Sequence, residues 1–372
     1  MPEFTSQLIV LTGGGTAGHV MPNLALAPEL EKAGFNLAYV GSRGIEEELV
    51  KQAGIRFFQI RSGKLRRYFA FANLVDILWV AVGICQSFIL MLRLRPACVF
   101  SKGGFVAVPV SIGAWLAGIP VVSHESDVSP GLANRIISRF ARMNLYAFPE
   151  TSAYMSGRPS RCVGIPVRSA IFLGQGPKGL ELCGWSDSGL ESSLPVVLFM
   201  GGSLGAKFIN EILVSSLAEI LEFCRVIHLT GRGKMDVAQL QALPVKVRSR
   251  YKSFEFLNRE LPDVLAASDL AVCRAGANSI YELLAVKKPM ILIPLEKGSR
   301  GDQVLNAGSF KKQGFADVLP ESEINRDLFV SSIRKAVGSL ESLRANLRSD
   351  FTRESSIQAI IEELNAAIKV QD

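Results

Sequence analysis

Short apolar runs that stop at glycine or polar residues, each followed by apolar positions at helical spacing, recur along the whole chain. In the first half, residues 8–11, 37–40, 97–100 and 120–123 are buried-type strands, and 23–33 and 45–52 are helices. The second half repeats the scheme, with strands at 196–200, 225–229, 270–273 and 289–295. Continuous apolar strands between helices need cover on both faces, which predicts parallel sheets in an α/β fold. Ligands of such sheets sit at the carboxyl ends of the strands. Residues 355–370 have helical spacing and predict a terminal helix, whereas 174–195, rich in Gly, Ser and Pro, reads as a surface loop.

Two strand-to-helix glycine turns stand out, one per half. Gly-Gly-Gly-Thr-Ala-Gly-His at 13–19 is echoed by Gly-Gly-Ser-Leu-Gly-Ala at 201–206. Such turns present backbone N–H groups and a helix N-terminus, which together attract phosphate. Neither is a full dinucleotide fingerprint or a P-loop, which would require a following Lys-Ser/Thr pair. Their repetition predicts two nucleotide-binding-type lobes, and 372 residues suffice for two cores. The boundary falls near Pro166, giving 1–165 and 166–352, with a helix at 353–372 that packs back on the first lobe.

A formal charge of +7 favours an anionic partner, such as a phosphorylated substrate or an acidic membrane surface. Nucleic acid ranks last, because no reading motif is visible and the aromatics are not interleaved with the basic residues. The six cysteines form no C-x-x-C pair and there are only three histidines, which argues against a zinc site or a disulfide framework. Cys98 and Cys273 sit in apolar strands, where a reduced thiol is the ordinary outcome. The first apolar stretch ends at Thr12-Gly13, too soon for an export signal, so a cytoplasmic protein is expected.

Residues 74–92 approach the length of a membrane span, but Asp76 and Gly83 interrupt them. They read instead as a helix with an exposed apolar patch around Trp79. Lys64, Arg66, Arg67, Tyr68 and Phe69 precede it and Arg93 and Arg95 follow, a pattern suited to docking on anionic lipid.

The strand-end segments closely resemble the peptidoglycan glycosyltransferases that add N-acetylglucosamine to undecaprenyl-pyrophosphoryl-N-acetylmuramoyl-pentapeptide, turning lipid I into lipid II. The segments are 13–19, Gly103-Gly-Phe105 with Pro109, His124-Glu125, Gly164 with Pro166 and Arg168, 201–206 with Asn210, Arg274-Ala-Gly276 with Glu282, and Gln303 with Asn306-Ala307. The resemblance implies a GT-B fold: two Rossmann-like, doubly wound parallel-sheet domains facing a cleft. It also implies no metal or other cofactor, peripheral attachment to the inner leaflet, and UDP-N-acetylglucosamine, lipid I and cell-wall synthesis proteins as partners.

By the same resemblance, the C-terminal lobe holds the donor. Glu282 faces the ribose, Gln303 the sugar hydroxyls and Arg168 the uracil, with Phe256 and Leu257 at the base edge. Ser203 and Gly276 meet the diphosphate side, and Thr16 and Gly18 are counted with the donor contacts. Gly13, Gly14, Gly15, Gly103, Gly104 and His124 cradle the acceptor pyrophosphate. His19 and Glu125 are the two candidates for the general base, with Asp127 able to share the duty or raise its neighbour's pKa. The commoner family pattern has Gln-Asn where this chain has Ser126-Asp127, glycine at Ala17, and glutamine at Asp302. Alternative functions are a GT-B-fold UDP-sugar epimerase and a non-catalytic nucleotide-sugar-binding module.

Overall fold

In a computed structural model of the chain, the structure describes residues 7–63, 72–185, 193–202, 205–234, 248–297, 300–347 and 353–369. Of the residues singled out above, Ser203, Lys64, Arg66, Arg67, Tyr68 and Phe69 lie outside them. The chain forms two compact units, Met1–Arg168 with Thr352–Asp372, and Ser169–Phe351.

The first unit is built on a seven-stranded sheet in the order β3-β2-β1-β4-β5-β6-β7, with every pair parallel. Its strands are β1 (Leu8–Thr12), β2 (Asn36–Gly41), β3 (Arg56–Gln59), β4 (Cys98–Ser101), β5 (Val121–Glu125), β6 (Met143–Tyr146) and β7 (Ser160–Cys162). The order reverses between β1 and β4, where Thr12 pairs with Ser101. The next residues, Gly13 and Lys102, therefore leave the sheet side by side at its topological switch point, the place where such sheets bind ligands.

One face of this sheet is covered by α1 (Ala17–Lys32) and α12 (Arg353–Lys369). Leu26 and Leu30 of the first and Ile360 and Leu364 of the second are fully buried against Ile9, Leu11 and Phe100. Each such side chain contributes about 1.5–3 kcal/mol on leaving water. Arg161 of β7 adds an ion pair to Glu363 at 2.9 Å. The other face carries α3 (Ala72–Leu94), α4 (Ala107–Leu116) and the short α5 (Leu132–Ile137), whereas α2 (Ile45–Gln52) lies on the α1 face and buries Val50 in that core. Gly113 of α4 lies where any side chain would strike Ser87 of α3, so the two helices pack closely. That leaves Leu78, Ile89 and Leu92 of α3 with Trp115 and Leu116 of α4 each half or more exposed. Among the described residues no helix is long and apolar enough to cross a membrane.

The second unit repeats the plan with a six-stranded parallel sheet in the order β10-β9-β8-β11-β12-β13. Its strands are β8 (Val196–Met200), β9 (Arg225–Leu229), β10 (Tyr251–Phe254), β11 (Leu270–Cys273), β12 (Met290–Leu292) and β13 (Asp317–Val318). Met200 pairs with Cys273 at this sheet's switch point, so Gly201 and Arg274 emerge as neighbours. Helices α7 (Lys207–Ile220) and α11 (Arg326–Gly338) bury Ile209, Leu213, Phe329 and Ile333 against Phe199.

Two elements depart from the sequence reading. Helix α1 starts at Ala17, six residues before the expected 23, with Pro22 inside it. Residues 174–195 are not all loop, because Gly176–Cys183 forms a helix, α6. Pro177 suits its first turn, where the missing N–H has no partner to lose, and Gly179 permits backbone contact with Asp263 of the neighbouring α8 (Leu261–Ala267).

Candidate active site

At the first switch point the turns after β1 and β4 pack backbone to backbone. Gly104 has φ +83°, and a Cβ there would overlap the carbonyl oxygen of Gly14. Buried polar groups fix the first turn from behind. Tyr39 donates its hydroxyl to the Gly13 carbonyl at 2.5 Å, and Asn23 Nδ2 donates to the Thr12 carbonyl at 3.1 Å. Ser42 donates to Glu46 Oε1 at 2.6 Å, and that buried carboxylate stands behind Gly14.

The rim of this turn is Gly15, Thr16 and Gly18, all exposed, with His19 half-buried. Thr16 occupies the N-cap position of α1 without making a side-chain cap bond. Its hydroxyl lies 3.0 Å from His19 Nδ1 instead. When Nδ1–H donates to that oxygen, Nε2 carries the lone pair, the tautomer a general base needs.

Glu125 ends β5 and is buried, with both oxygens engaged. Oε1 accepts the backbone N–H of Ser126 at 2.7 Å and of Asp127 at 2.9 Å, while Oε2 accepts Gly131 N–H at 3.2 Å and Asn134 Nδ2 at 2.8 Å. Burial and then Asp127 push its pKa up, and these N–H donors oppose the rise. The carboxylate thus organises the 125–131 loop.

His124 does not line a cradle. It is fully buried, with Nε2–H donating to the Gly164 carbonyl at 2.7 Å and Nδ1 facing Lys102 Nζ at 2.6 Å. A carbonyl can only accept, so Nδ1 must accept from Lys102. Burial and the lysine hold the imidazole pKa well below its ordinary value. An expected ligand contact is therefore an internal strut, because β5 runs through the middle of the sheet and points His124 inward. Asp127 sits on the loop beside it, its carbonyl receiving the Thr151 hydroxyl at 3.3 Å.

The second switch point repeats the device. Gly205 has φ +69°, and a side chain there would overlap the Thr230 carbonyl. That carbonyl is held by Asn210 Nδ2 at 2.8 Å, Asn210 Oδ1 accepts from His228 Nε2 at 3.0 Å, and His228 Nδ1 accepts from the Tyr251 hydroxyl at 2.8 Å. Burial lowers the His228 pKa to about 4. An imidazole neutral in the fold and near 6.5 when unfolded stabilises fully above pH 6.5, and that stability is lost as pH falls toward 4. Urea titrations between those limits are expected to show a loss of up to about 3 kcal/mol that His228→Gln removes.

On the same unit Gly276 caps α9 (Ala277–Ala285), with half-buried Glu282 on its second turn. Arg274 anchors the preceding turn through the Ile293 carbonyl at 3.1 Å and an ion pair to Glu321, and Asn306 Nδ2 holds the Ala275 carbonyl at 3.2 Å. Gln303, on α10 (Asp302–Lys312), accepts from Leu295 N–H at 3.0 Å, while Asp302 pairs with Arg300 at 2.8 Å. Phe256 is exposed beneath the Arg232 guanidinium at 5.0 Å, and Leu257 is buried. Arg168, expected in the donor lobe, is half-buried and ends the first stretch of the first unit instead, because the units divide between 168 and 169 rather than at 165/166.

Sequence reasoning passed over Lys102, Asn134, Tyr39, Glu46 and the His228 relay. A lysine directly between an apolar strand and Gly-Gly was the available signal for the first. Among the described residues no three His, Cys, Asp or Glu side chains converge as a metal site.

The glycosyltransferase family 28 N-terminal domain matches residues 9–145, and the family 28 C-terminal domain matches 196–364. The chain belongs to glycosyltransferase family 28. A Clostridium botulinum strain Langeland relative, a "UDP-N-acetylglucosamine--N-acetylmuramyl-(pentapeptide) pyrophosphoryl-undecaprenol N-acetylglucosamine transferase", is 45% identical over 344 residues, covering 88% of this chain and 94% of the relative. A Bacillus cereus protein of the same name, numbered 2, is 42% identical over 361 residues, covering 96% and 99%. Among solved structures, Acinetobacter baumannii MurG superposes with a TM-score of 0.75 at 22% identity, covering 97% of this chain and 99% of that one. The calicheamicin glycosyltransferase CalG4 follows the same fold at a TM-score of 0.67 and 14% identity, covering 98% and 99%. The family 28 assignment thus rests on sequence along nearly the whole chain, and the two-domain GT-B fold on structure.

Proposed function

We infer that this chain transfers N-acetylglucosamine from UDP-N-acetylglucosamine to the C4 hydroxyl of the N-acetylmuramoyl-pentapeptide of lipid I, forming lipid II. The carrying observation is 42–45% identity, over 88–96% of this chain, to transferases of that name. Two buried-backed glycine turns at sheet switch points, one per unit, supply the matching chemistry. The epimerase and the non-catalytic module are not favoured, because the named relatives are transferases.

In this reading the acceptor hydroxyl attacks the anomeric carbon in one displacement, inverting an α-linked donor to a β-1,4 product while UDP leaves. His19 Nε2 takes the hydroxyl proton. The chain's other two histidines are fully buried and the Glu125 oxygens are shared among four N–H donors, whereas His19 reaches the rim of the turn, which favours His19. Asp127 lies beside the acceptor subsite formed by Gly13, Gly14, Gly15, Gly103 and Gly104. The departing diphosphate is stabilised by N–H groups of the Gly201–Gly205 turn and the N-terminus of α7, with Ser203. Glu282, Gln303, Phe256 and Leu257 of the second unit hold ribose, sugar and base.

The chain works at the cytoplasmic face of an anionic membrane, docked through the apolar stripe of Leu78, Ile89 and Leu92 with Trp115, beside Arg61 and Arg93. Arg61 lies 4.4 Å over the Trp79 ring, so Trp79 is partly covered by a cation. Purified protein is expected to convert labelled UDP-N-acetylglucosamine and a lipid I analogue into a β-1,4-linked product and UDP. No transfer at high enzyme concentration rejects the reading, and sugar isomerisation without acceptor would favour the epimerase. Sedimentation with anionic vesicles is expected to carry the protein down, and Ile89→Glu with Leu92→Glu to weaken that about tenfold or more.

A further inference from the structure

Lys102 is a charged side chain that the transfer chemistry leaves without a role. It is 1% exposed, and its Cβ lies 3.2 Å from where a Cβ on Gly13 would sit, so it stands behind both turns of the first unit. Its ammonium has two hydrogen-bond acceptors, His124 Nδ1 at 2.6 Å and Ser126 Oγ at 2.7 Å. Neither is an anion. The carboxylate next along the chain, Glu125, is consumed by four N–H donors. An ammonium held out of water without a carboxylate in contact costs several kcal/mol, whereas methionine would fill the same space with no such penalty. An anion arriving on the far side of the turns offsets that cost.

We propose that Lys102 is a positioning residue of the acceptor subsite: it fixes His124 and the Ser126 loop from behind and supplies the positive charge against which a diphosphate seats on Gly13–Gly15 and Gly103–Gly104. This rests on the first unit being the acceptor lobe. It also gives Ser126, a departure from the commoner family pattern, a function as the lysine's second acceptor.

Burial holds the Lys102 pKa down to about 7, with Glu125 and Asp127 opposing. The other ionisable groups around it are His124 on β5, and Tyr39 and Glu46 behind the first turn. Tyr39 stays neutral because burial raises its pKa, and His124 stays neutral because burial lowers its own. Diphosphate charge raises the lysine pKa, so binding takes up a proton near neutrality and weakens as pH rises.

The test is steady-state kinetics from pH 6 to 9 with UDP-N-acetylglucosamine and a water-soluble lipid I analogue, on wild type, Lys102→Met and Ser126→Ala. In Lys102→Met the acceptor KM is expected to rise about tenfold or more while the donor KM stays within about twofold. The rise of the wild-type acceptor KM above neutral pH should vanish in that variant. Ser126→Ala removes one acceptor of the ammonium and should move the same rise to lower pH. An unchanged acceptor KM in folded Lys102→Met, or a pH dependence that survives it, overturns the proposal. Should Lys102→Met not fold, a Ser126→Ala profile superimposable on wild type overturns it equally. Calorimetry of inorganic pyrophosphate binding in buffers of different ionisation enthalpy reads the proton uptake without transfer. Failure of wild-type transfer alone therefore overturns the transferase reading and leaves this test standing.

Discussion

His19→Ala is expected to lower kcat by about 10²–10⁴-fold while both KM values stay within a few-fold. A sugar hydroxyl attacking an anomeric carbon must lose its proton as the bond forms, and a group that removes it acts only in the transition state. The substitution therefore should not weaken ground-state binding. Thr16 gives the prediction its geometry: its hydroxyl sits 3.0 Å from Nδ1 rather than capping α1, and the tautomer in which Nδ1–H donates to that oxygen carries the lone pair on Nε2. If His19 instead serves as an anion donor at the helix N-terminus, alanine would raise the acceptor KM and spare kcat. Measuring both constants with the same lipid I analogue separates the two, and a KM effect alone would remove His19 from the chemistry.

The glycine turns were legible because the physics that makes them is local. A short apolar strand ending in glycines is a sufficient pattern, and 13–15, 103–104 and 201–202 all fall at strand ends flanking the two switch points. What stands behind the turns was not legible, because it depends on which strands are neighbours. Lys102 meets His124 across 22 positions because β4 lies beside β5, and His124 meets Gly164 across 40 because β6 and β7 follow β5 in the same sheet. Glu125 read as a candidate base for the same reason: its type and position suit one, and only the folded loop reveals that its oxygens are occupied. The edge strands β3, β7 and β13 carry exposed or half-buried residues throughout, so they lack the apolar signature that marked the central strands. Helix α6 was hidden by the two glycines and the proline in its eight residues, although tertiary packing against α8 outweighs their weak propensity.

The two units solve one problem with unequal chemistry. Each holds a neutral, buried histidine behind its glycine turn, His124 in the first and His228 in the second. In the second the histidine reaches the turn through the neutral amide of Asn210, whereas in the first it adjoins a lysine. If the second unit holds the donor and the first the acceptor, as proposed, a turn backed by neutral groups suits the diphosphate that departs as UDP, and a turn backed by a cation suits the one that stays seated through the reaction.

Gly104→Ala is expected to destabilise the first unit by about 2–5 kcal/mol and to cut kcat/KM for the acceptor about 100-fold or more, with the donor KM within a few-fold. Two costs combine at this position. A φ of +83° strains any residue with a side chain, and the added methyl would overlap the Gly14 carbonyl, so the two turns must separate. Gly118 provides the control, since its φ of +74° imposes the same backbone strain but a Cβ there meets nothing within 4 Å. Gly118→Ala should lower stability by about 1 kcal/mol and leave the acceptor kinetics alone. Thermal unfolding with parallel kinetics on both variants distinguishes strain from displacement. If Gly104→Ala binds the acceptor as wild type does, then the paired turns of β1 and β4 are not where its diphosphate sits.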